Sequence, residues 1–190
     1  MLISSIYETA PEHASARAMA CFALLDELRI PYRRVEHERA ETMEHCAAIS
    51  DALRVRICKN LFLCNRQQTA FYLLAMPEDK PFYTKDLSHQ IGSSRLSFAP
   101  GEKMEELLGC SPGSCSVLGL VNDTEHRVHL LFDREVVEAE RFACHPCDNT
   151  GSLAIATADL LQKLLPRTGH TYEVVELYKA KKRPPAAVSF

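Results

Sequence analysis

The sequence predicts a mixed α/β fold in which a curved sheet is wrapped by short helices, and three observations predict it. Short β-rich runs alternate with segments of helical period along the chain. Two of those runs, "VRICKNLFLCN" and "TAFYLLAM", are joined only by the polar "RQQ", which reads as a hairpin and therefore as antiparallel pairing. The chain has 190 residues, 46% hydrophobic and 25% charged, enough for a real core in a single domain over residues 1–190.

Residues 14–28 place Met19, Phe22, Leu25 and Leu28 at helical spacing. Ile30-Pro31 ends that helix, because proline disfavours helical backbone in the residue before it. "YRRVEH" alternates as a short strand. Residues 40–53 read as a second helix, with Met43, Cys46, Ala47, Ile49 and Leu53 roughly on one side. After the hairpin, "TKDLSHQIG" is a short helix stopped by Gly92, and "PGEKMEELLG" is another stopped by Gly109. "CSPGSCS" reads as loop, "VLGLV" as a strand, Asn122-Asp123 as a turn and "RVHLLFD" as a strand; "RFACHP" leads out of the next one. "SLAIA" is again β-like, "TADLLQKLL" is a helix with Thr157 as its N-cap, and "YEVVEL" closes as a strand. Residues 178–190 form a basic, proline-containing tail.

Charge and composition exclude several classes. The formal net charge is −3 and the sequence pI about 6.2, which argues against coating nucleic acid through a broad basic face. A protein that grips one end of an RNA stays open. Two local basic groups exist: Arg54, Arg56 and Lys59, then Lys179, Lys181, Lys182 and Arg183, the second reading as a solvated tail. No apolar run approaches the roughly 18 residues a membrane span needs. The N-terminus lacks a basic start followed by an apolar core, so a cytoplasmic location is expected. Cys21, Cys58 and Cys64 read as small buried hydrophobes.

Three stretches could carry chemistry. "FACHPCDNTGS" sets Cys144 and Cys147 around His145-Pro146. With Cys110 and Cys115 these thiols offer a four-sulfur zinc set, and alone a CxxC redox pair; His145 alternatively stands on a turn at the rim of a sheet. Lys59, between Cys58 and Asn60, points to solvent as a strand-edge charge or to a pocket mouth. "GCSPGSCS" carries small residues whose amides can converge on a bound group, although most such loops are only turns.

Together these stretches resemble the YbaK/ProX family of trans-acting aminoacyl-tRNA editing domains, related to the insertion domain of bacterial prolyl-tRNA synthetase. The motifs that carry the resemblance are "CKNLFL" (58–63), "LLGCSPGSCSVLGL" (107–120) and "HPCDNTGSLAIATADLLQKLL" (145–165). They look most like the branch that removes alanine from mischarged tRNA(Pro). The resemblance implies a curved, largely antiparallel or mixed sheet or barrel, an aminoacyl-tRNA hydrolase that needs no cofactor and no metal, and a tRNA acceptor end as partner, with prolyl-tRNA synthetase as a second; neither a membrane nor DNA is implied. It implies Lys59, Asn60 and His145 as catalytic residues. Lys59 would hold the terminal phosphate or ribose, Asn60 would add a hydrogen bond, and His145 would limit the size of the amino-acid side chain. Gly113, Ser114, Cys115, Ser116, Val117, Asn149 and Thr150 are implied in substrate binding. Two departures stand out. Family members carry Gly-x-x-x-Pro in the pocket loop, where this chain has Val117 in place of proline, and "NTGS" replaces a threonine-rich run. The first keeps a non-catalytic RNA-end or synthetase-binding module on the same fold in play.

Overall fold

The computed structural model describes residues 1–40 and 42–177, so the basic tail lies outside the described residues. Helix α1 (Ala16–Glu27) opens on Ser15, whose hydroxyl accepts the Ala18 amide. Its buried side holds Phe22 and Leu25 as expected, but Met19 is exposed and Ala18 and Cys21 point inward instead. Small residues there let the helix approach the neighbouring loop closely, with the Cys21 and Cys147 sulfurs 3.5 Å apart. Strand β1 (Tyr32–Glu36) precedes α2 (Met43–Leu53), which is capped by Thr42 and buries Ile49 and Leu53 while Ala47 is exposed.

Strands β2 (Cys58–Asn65) and β3 (Phe71–Pro77) form the expected hairpin, with Lys59 opposite Met76 and Cys64 opposite Phe71. Asn65 Oδ1 closes its loop by accepting the Thr69 and Ala70 amides. Helices α3 (Thr84–Gln90) and α4 (Gly101–Leu108) flank β4 (Leu96–Phe98) and end before Gly92 and Gly109. Then follow β5 (Val128–Asp133), α5 (Arg134–Glu138), β6 (Arg141–Cys144) and β7 (Gly151–Ala156). A helical segment made of α6 (Thr157–Asp159), a π-turn (Leu160–Leu164) and α7 (Leu165–Thr168) leads to β8 (Tyr172–Val175).

The mixed α/β class is the one the sequence predicts, but the strands form two sheets. One has the order β4-β2-β3-β5-β8, the other β1-β7-β6. All pairs are antiparallel except β3 with β5 and β5 with β8. An isolated parallel bridge between Ile57 and Ala143 joins the sheets. The main core lies between them and includes Phe62, Phe71, Phe132 and Phe142. A second cluster, around Leu63, Leu74 and Leu87, fills the space under α3 on the far face of the larger sheet. A third packs Ile49 and Leu53 of α2 on Val35, Ala143 and Ala154 of the smaller one.

Two sequence expectations are corrected. "VLGLV" is not a strand but a 3-10 helix, Val117–Asn122. Its first four residues are buried, so alternation is absent and hydrophobicity alone cannot separate the two conformations. Gly119 fixes the choice: a Cβ there would meet the Leu108 carbonyl oxygen at 2.5 Å, so only glycine lets the helix pack against the end of α4. Thr157 is not an N-cap. It is already helical, its amide bonds the Glu140 carbonyl, and its buried hydroxyl has no partner among the described residues. A capping hydroxyl needs an extended backbone at its own residue, and that position belongs to Ala156.

Candidate active site

Along β2, strand β4 pairs only with Leu63, Cys64 and Asn65. The first half of β2 therefore shows a free edge on that side. Helix α4, the 110–116 loop and the loop after β6 stand across from it and enclose a cavity of about 380 Å³. Of the residues singled out in the sequence, Lys59, Asn60, Gly113, Cys115 and His145 line this cavity. Three segments that are remote in the chain thus meet in one chamber.

Lys59 is held rather than free. Its Nζ donates to the backbone carbonyls of Glu78 at 3.0 Å and Lys80 at 2.6 Å. An ammonium has three donors, so one N–H remains for a ligand. The loop bearing those carbonyls is anchored in turn by the buried Lys80 ammonium, 2.7 and 2.9 Å from the two oxygens of the fully buried Asp133. Burial lowers the Lys59 pKa from the ordinary lysine value, against the pull of Asp79 and Glu78.

Asn60 Nδ2 donates to the Cys58 carbonyl at 3.2 Å, which fixes the amide orientation, since a flip would set two acceptors against each other. Its Oδ1 is buried and unpartnered among the described residues. A buried acceptor left this way costs about 1–3 kcal/mol, and here it belongs to a side chain that lines a cavity.

His145 Nδ1 lies 2.9 Å from the Gly151 carbonyl, which only accepts, so Nδ1 carries the proton and Nε2 is the basic nitrogen. Ser152 Oγ sits 3.0 Å from that Nδ1 and 2.9 Å from His37 Nε2. His37 Nδ1 is 2.7 Å from the Glu38 carbonyl, so the serine donates to His37 Nε2 and the row of hydrogens is fixed from end to end. Burial pushes both imidazoles below the ordinary histidine value. Sequence reading missed His37 and Ser152, which lie 115 residues apart and carry no local motif.

The other predicted residues, apart from Gly113 and Cys115 on the cavity wall, stand behind the chamber or outside it. Gly113 has φ +88, which favours glycine, and Ser114 Oγ bonds the Ser111 carbonyl to hold the turn. Ser116 and Val117 are wholly buried; the Ser116 hydroxyl accepts the Leu118 amide and caps the 3-10 helix. Asn149 brackets Ala40, taking its amide at 3.1 Å and giving to its carbonyl at 3.0 Å, and so holds a cavity wall in place. Thr150 is exposed on the other side of the loop, bonded to Asp148. Glu78, also missed in the sequence, lines the cavity, accepts the Ser50 hydroxyl and is pushed upward in pKa by burial.

Cys110, Cys115, Cys144 and Cys147 are all buried, and Cys21 and Cys64 are buried as expected, whereas Cys58 is only partly covered. Burial raises Cys144 to about 12, and hydrogen bonding to Cys147 together with burial raises Cys110. These groups are thiols at neutral pH, whereas the attacking sulfur of a redox pair acts as thiolate. Cys147 leads into β7, not into a helix N-terminus that could lower its pKa. Among the described residues no cluster of three or more His, Cys, Asp or Glu is arranged to hold a metal ion, and no helix is long and apolar enough to cross a membrane.

The fold is shared with a crystal structure described as that of a candidate trans-editing enzyme for prolyl-tRNA synthetase (TM-score 0.66, 17% identity, 88% of this chain and 99% of the other). The family model for the aminoacyl-tRNA editing domain matches residues 37–163, and the chain belongs to that family. It is 34% identical to the prolyl-tRNA editing protein ProX of Acetoanaerobium sticklandii, over 83% of this chain and 96% of the relative. It is 32% identical to prolyl-tRNA synthetase associated domain-containing protein 1 of Danio rerio, over 77% and 80% respectively.

Proposed function

We propose that this protein is a trans-acting aminoacyl-tRNA deacylase that hydrolyses the ester of mischarged tRNA(Pro), with alanine as the residue removed. The observation that carries this is the meeting of Lys59, the orphaned Asn60 Oδ1, the Gly113 turn and His145 in one cavity. An aminoacyl ester is already activated, so the site has to position it and stabilise charge more than it has to supply a strong nucleophile. The remaining Lys59 N–H reaches the terminal ribose or phosphate. Asn60 Oδ1 accepts from the substrate's α-ammonium or a ribose hydroxyl. The Gly113 turn presents backbone to the aminoacyl group, while Ser116, Val117 and Asn149 brace that wall. His145, on the amino-acid side, offers a neutral Nε2 to the attacking water. The substrate's own 2′-hydroxyl is a second aid to that water.

The selectivity is that of a second sieve. A synthetase pocket built for proline gains only about 1–3 kcal/mol from each methylene that alanine lacks, so it admits errors. A chamber that accepts alanine and excludes the proline ring removes the error and spares the correct product. On this reading the protein works in the cytoplasm, its partner is the acceptor end of tRNA(Pro), and prolyl-tRNA synthetase is the enzyme whose errors it clears.

Purified protein tested on alanyl-, cysteinyl-, seryl- and prolyl-tRNA(Pro) decides the matter. Fast hydrolysis of the alanyl ester with the prolyl ester spared is the expected result. Binding of tRNA without turnover of any of the four would replace the deacylase by a non-catalytic RNA-end module.

A further inference from the structure

A second depression opens beside the cavity, about 490 Å³ in size, and shares Lys59, Leu61 and Phe98 with it. Phe82, Tyr83, Thr84 and Lys85 complete its lining. Two of its rings lie largely in water: Tyr83 is 60% and Phe98 63% exposed. Phe98 ends the edge strand β4 and is propped from below by Phe82, edge-on at 6.2 Å between ring centroids. The charged side chains along this groove are both lysines, Lys59 and Lys85. Exposed large rings are costly to keep in water, and a ring held edge-on by a second ring offers a fixed face.

We propose that this groove is the platform for the last unpaired nucleotides of the RNA, their bases stacking on Phe98 and Tyr83 while Lys85 faces the phosphates. The proposal rests on the deacylase reading for the direction of the chain: the aminoacyl group fills the cavity, and the nucleotides preceding it leave across Lys59 into the adjoining groove. The occupant is single-stranded RNA because the surface combines what such strands need, solvent-facing aromatic faces and cations in one open channel. Stacking does not read base identity, so the platform adds affinity for any unpaired 3′ end and leaves discrimination to the cavity.

The test uses the full chain and a short fluorescein-labelled single-stranded RNA ending in CCA, uncharged, so that the readout does not depend on turnover. Tyr83→Ala and Phe98→Ala are each expected to raise Kd about ten-fold, with Phe98→Tyr restoring it. Lys85→Ala is expected to flatten the dependence of log Kd on log salt by about 0.7. Wild-type protein that does not bind the RNA, or alanine variants that stay folded by circular dichroism and bind as wild type does, overturns the proposal. A kinetic arm compares alanyl-tRNA(Pro) with alanyl-adenosine, which lacks the preceding nucleotides. Tyr83→Ala should lower kcat/KM for the tRNA about ten-fold more than for the nucleoside ester, and equal losses on both substrates overturn the proposal. RNA binding that responds to the variants in a protein that hydrolyses neither ester keeps the platform and removes the deacylase.

Discussion

Replacing Asn60 by leucine should separate stability from activity. Leucine keeps the branched, four-heavy-atom outline of asparagine, and the adjoining cavity takes up the extra bulk of its two methyl groups, so packing changes little. The folded free protein carries an unpartnered buried Oδ1, a cost of about 1–3 kcal/mol that leucine removes. Leucine also loses the Nδ2 bond to the Cys58 carbonyl, worth about 0.5–1.5 kcal/mol. The balance is a gain of about 1 kcal/mol, or a rise in Tm of about 2–4 °C for a chain of this size. Activity moves the other way. A hydrogen bond to a charged donor is worth about 1.5–3 kcal/mol, so kcat/KM for alanyl-tRNA(Pro) should fall about 10- to 150-fold. Scanning calorimetry and single-turnover deacylation on the same preparation read both quantities. A Tm that drops by more than about 4 °C, or a kcat/KM within three-fold of wild type, would refute the argument that this oxygen is kept unsatisfied for the substrate.

Other expectations follow from the same geometry. Lys59→Met leaves the Glu78 and Lys80 carbonyls without their shared donor, so it should cost about 1–3 kcal/mol in urea unfolding as well as about 100-fold in kcat/KM; full activity would remove Lys59 from the site. His37 and His145 both have pKa values lowered in the folded state, so below the ordinary value of 6.5 the unfolded chain takes up protons that the folded one does not. Stability should therefore be fully present above pH 6.5 and fall as the pH drops below it, as urea midpoints across pH 5–8 will show; a flat profile argues against neutral buried imidazoles. Val117→Pro should be tolerated and raise stability by about 0.4–1 kcal/mol, because Ser116 already has φ −148 and ψ 146, the extended backbone that a residue before proline prefers, and Val117 is the first residue of a helix. A loss of more than about 2 kcal/mol would show that the loop geometry depends on valine.

On the sequence alone, valine in place of the family proline implies a looser loop, since proline pre-sets the backbone. The structure shows the Ser116 hydroxyl capping the Leu118 amide and Val117 fully buried, so capping and packing hold the turn without the ring. The segments bearing Lys59, Gly113 and His145 were legible because each combines a special residue with a local pattern: a charge in a strand, a glycine among small residues, a histidine before proline. Their convergence was not derivable from spacing, since it depends on pairings such as Arg34 with Leu153, far apart in the chain. Asn149 was noticed, but its work is structural, bracketing Ala40 from 109 residues away. The division into two sheets escaped notice for the same reason, because local alternation marks a strand and is silent about its neighbour.

The chamber takes one wall from each sheet, and beside the core packed between them the sheets are tied by an isolated backbone bridge, Ile57 with Ala143, backed by Leu53, Ile49 and Ala154. On the proposed reading, a gauge that tells alanine from proline is only as accurate as that seam is stiff. Trimming Leu53, which does not line the chamber, would let the walls spread and admit the larger ring. Errors in such a variant would show as wasteful cleavage of correctly charged tRNA, not as lost cleavage of the wrong one.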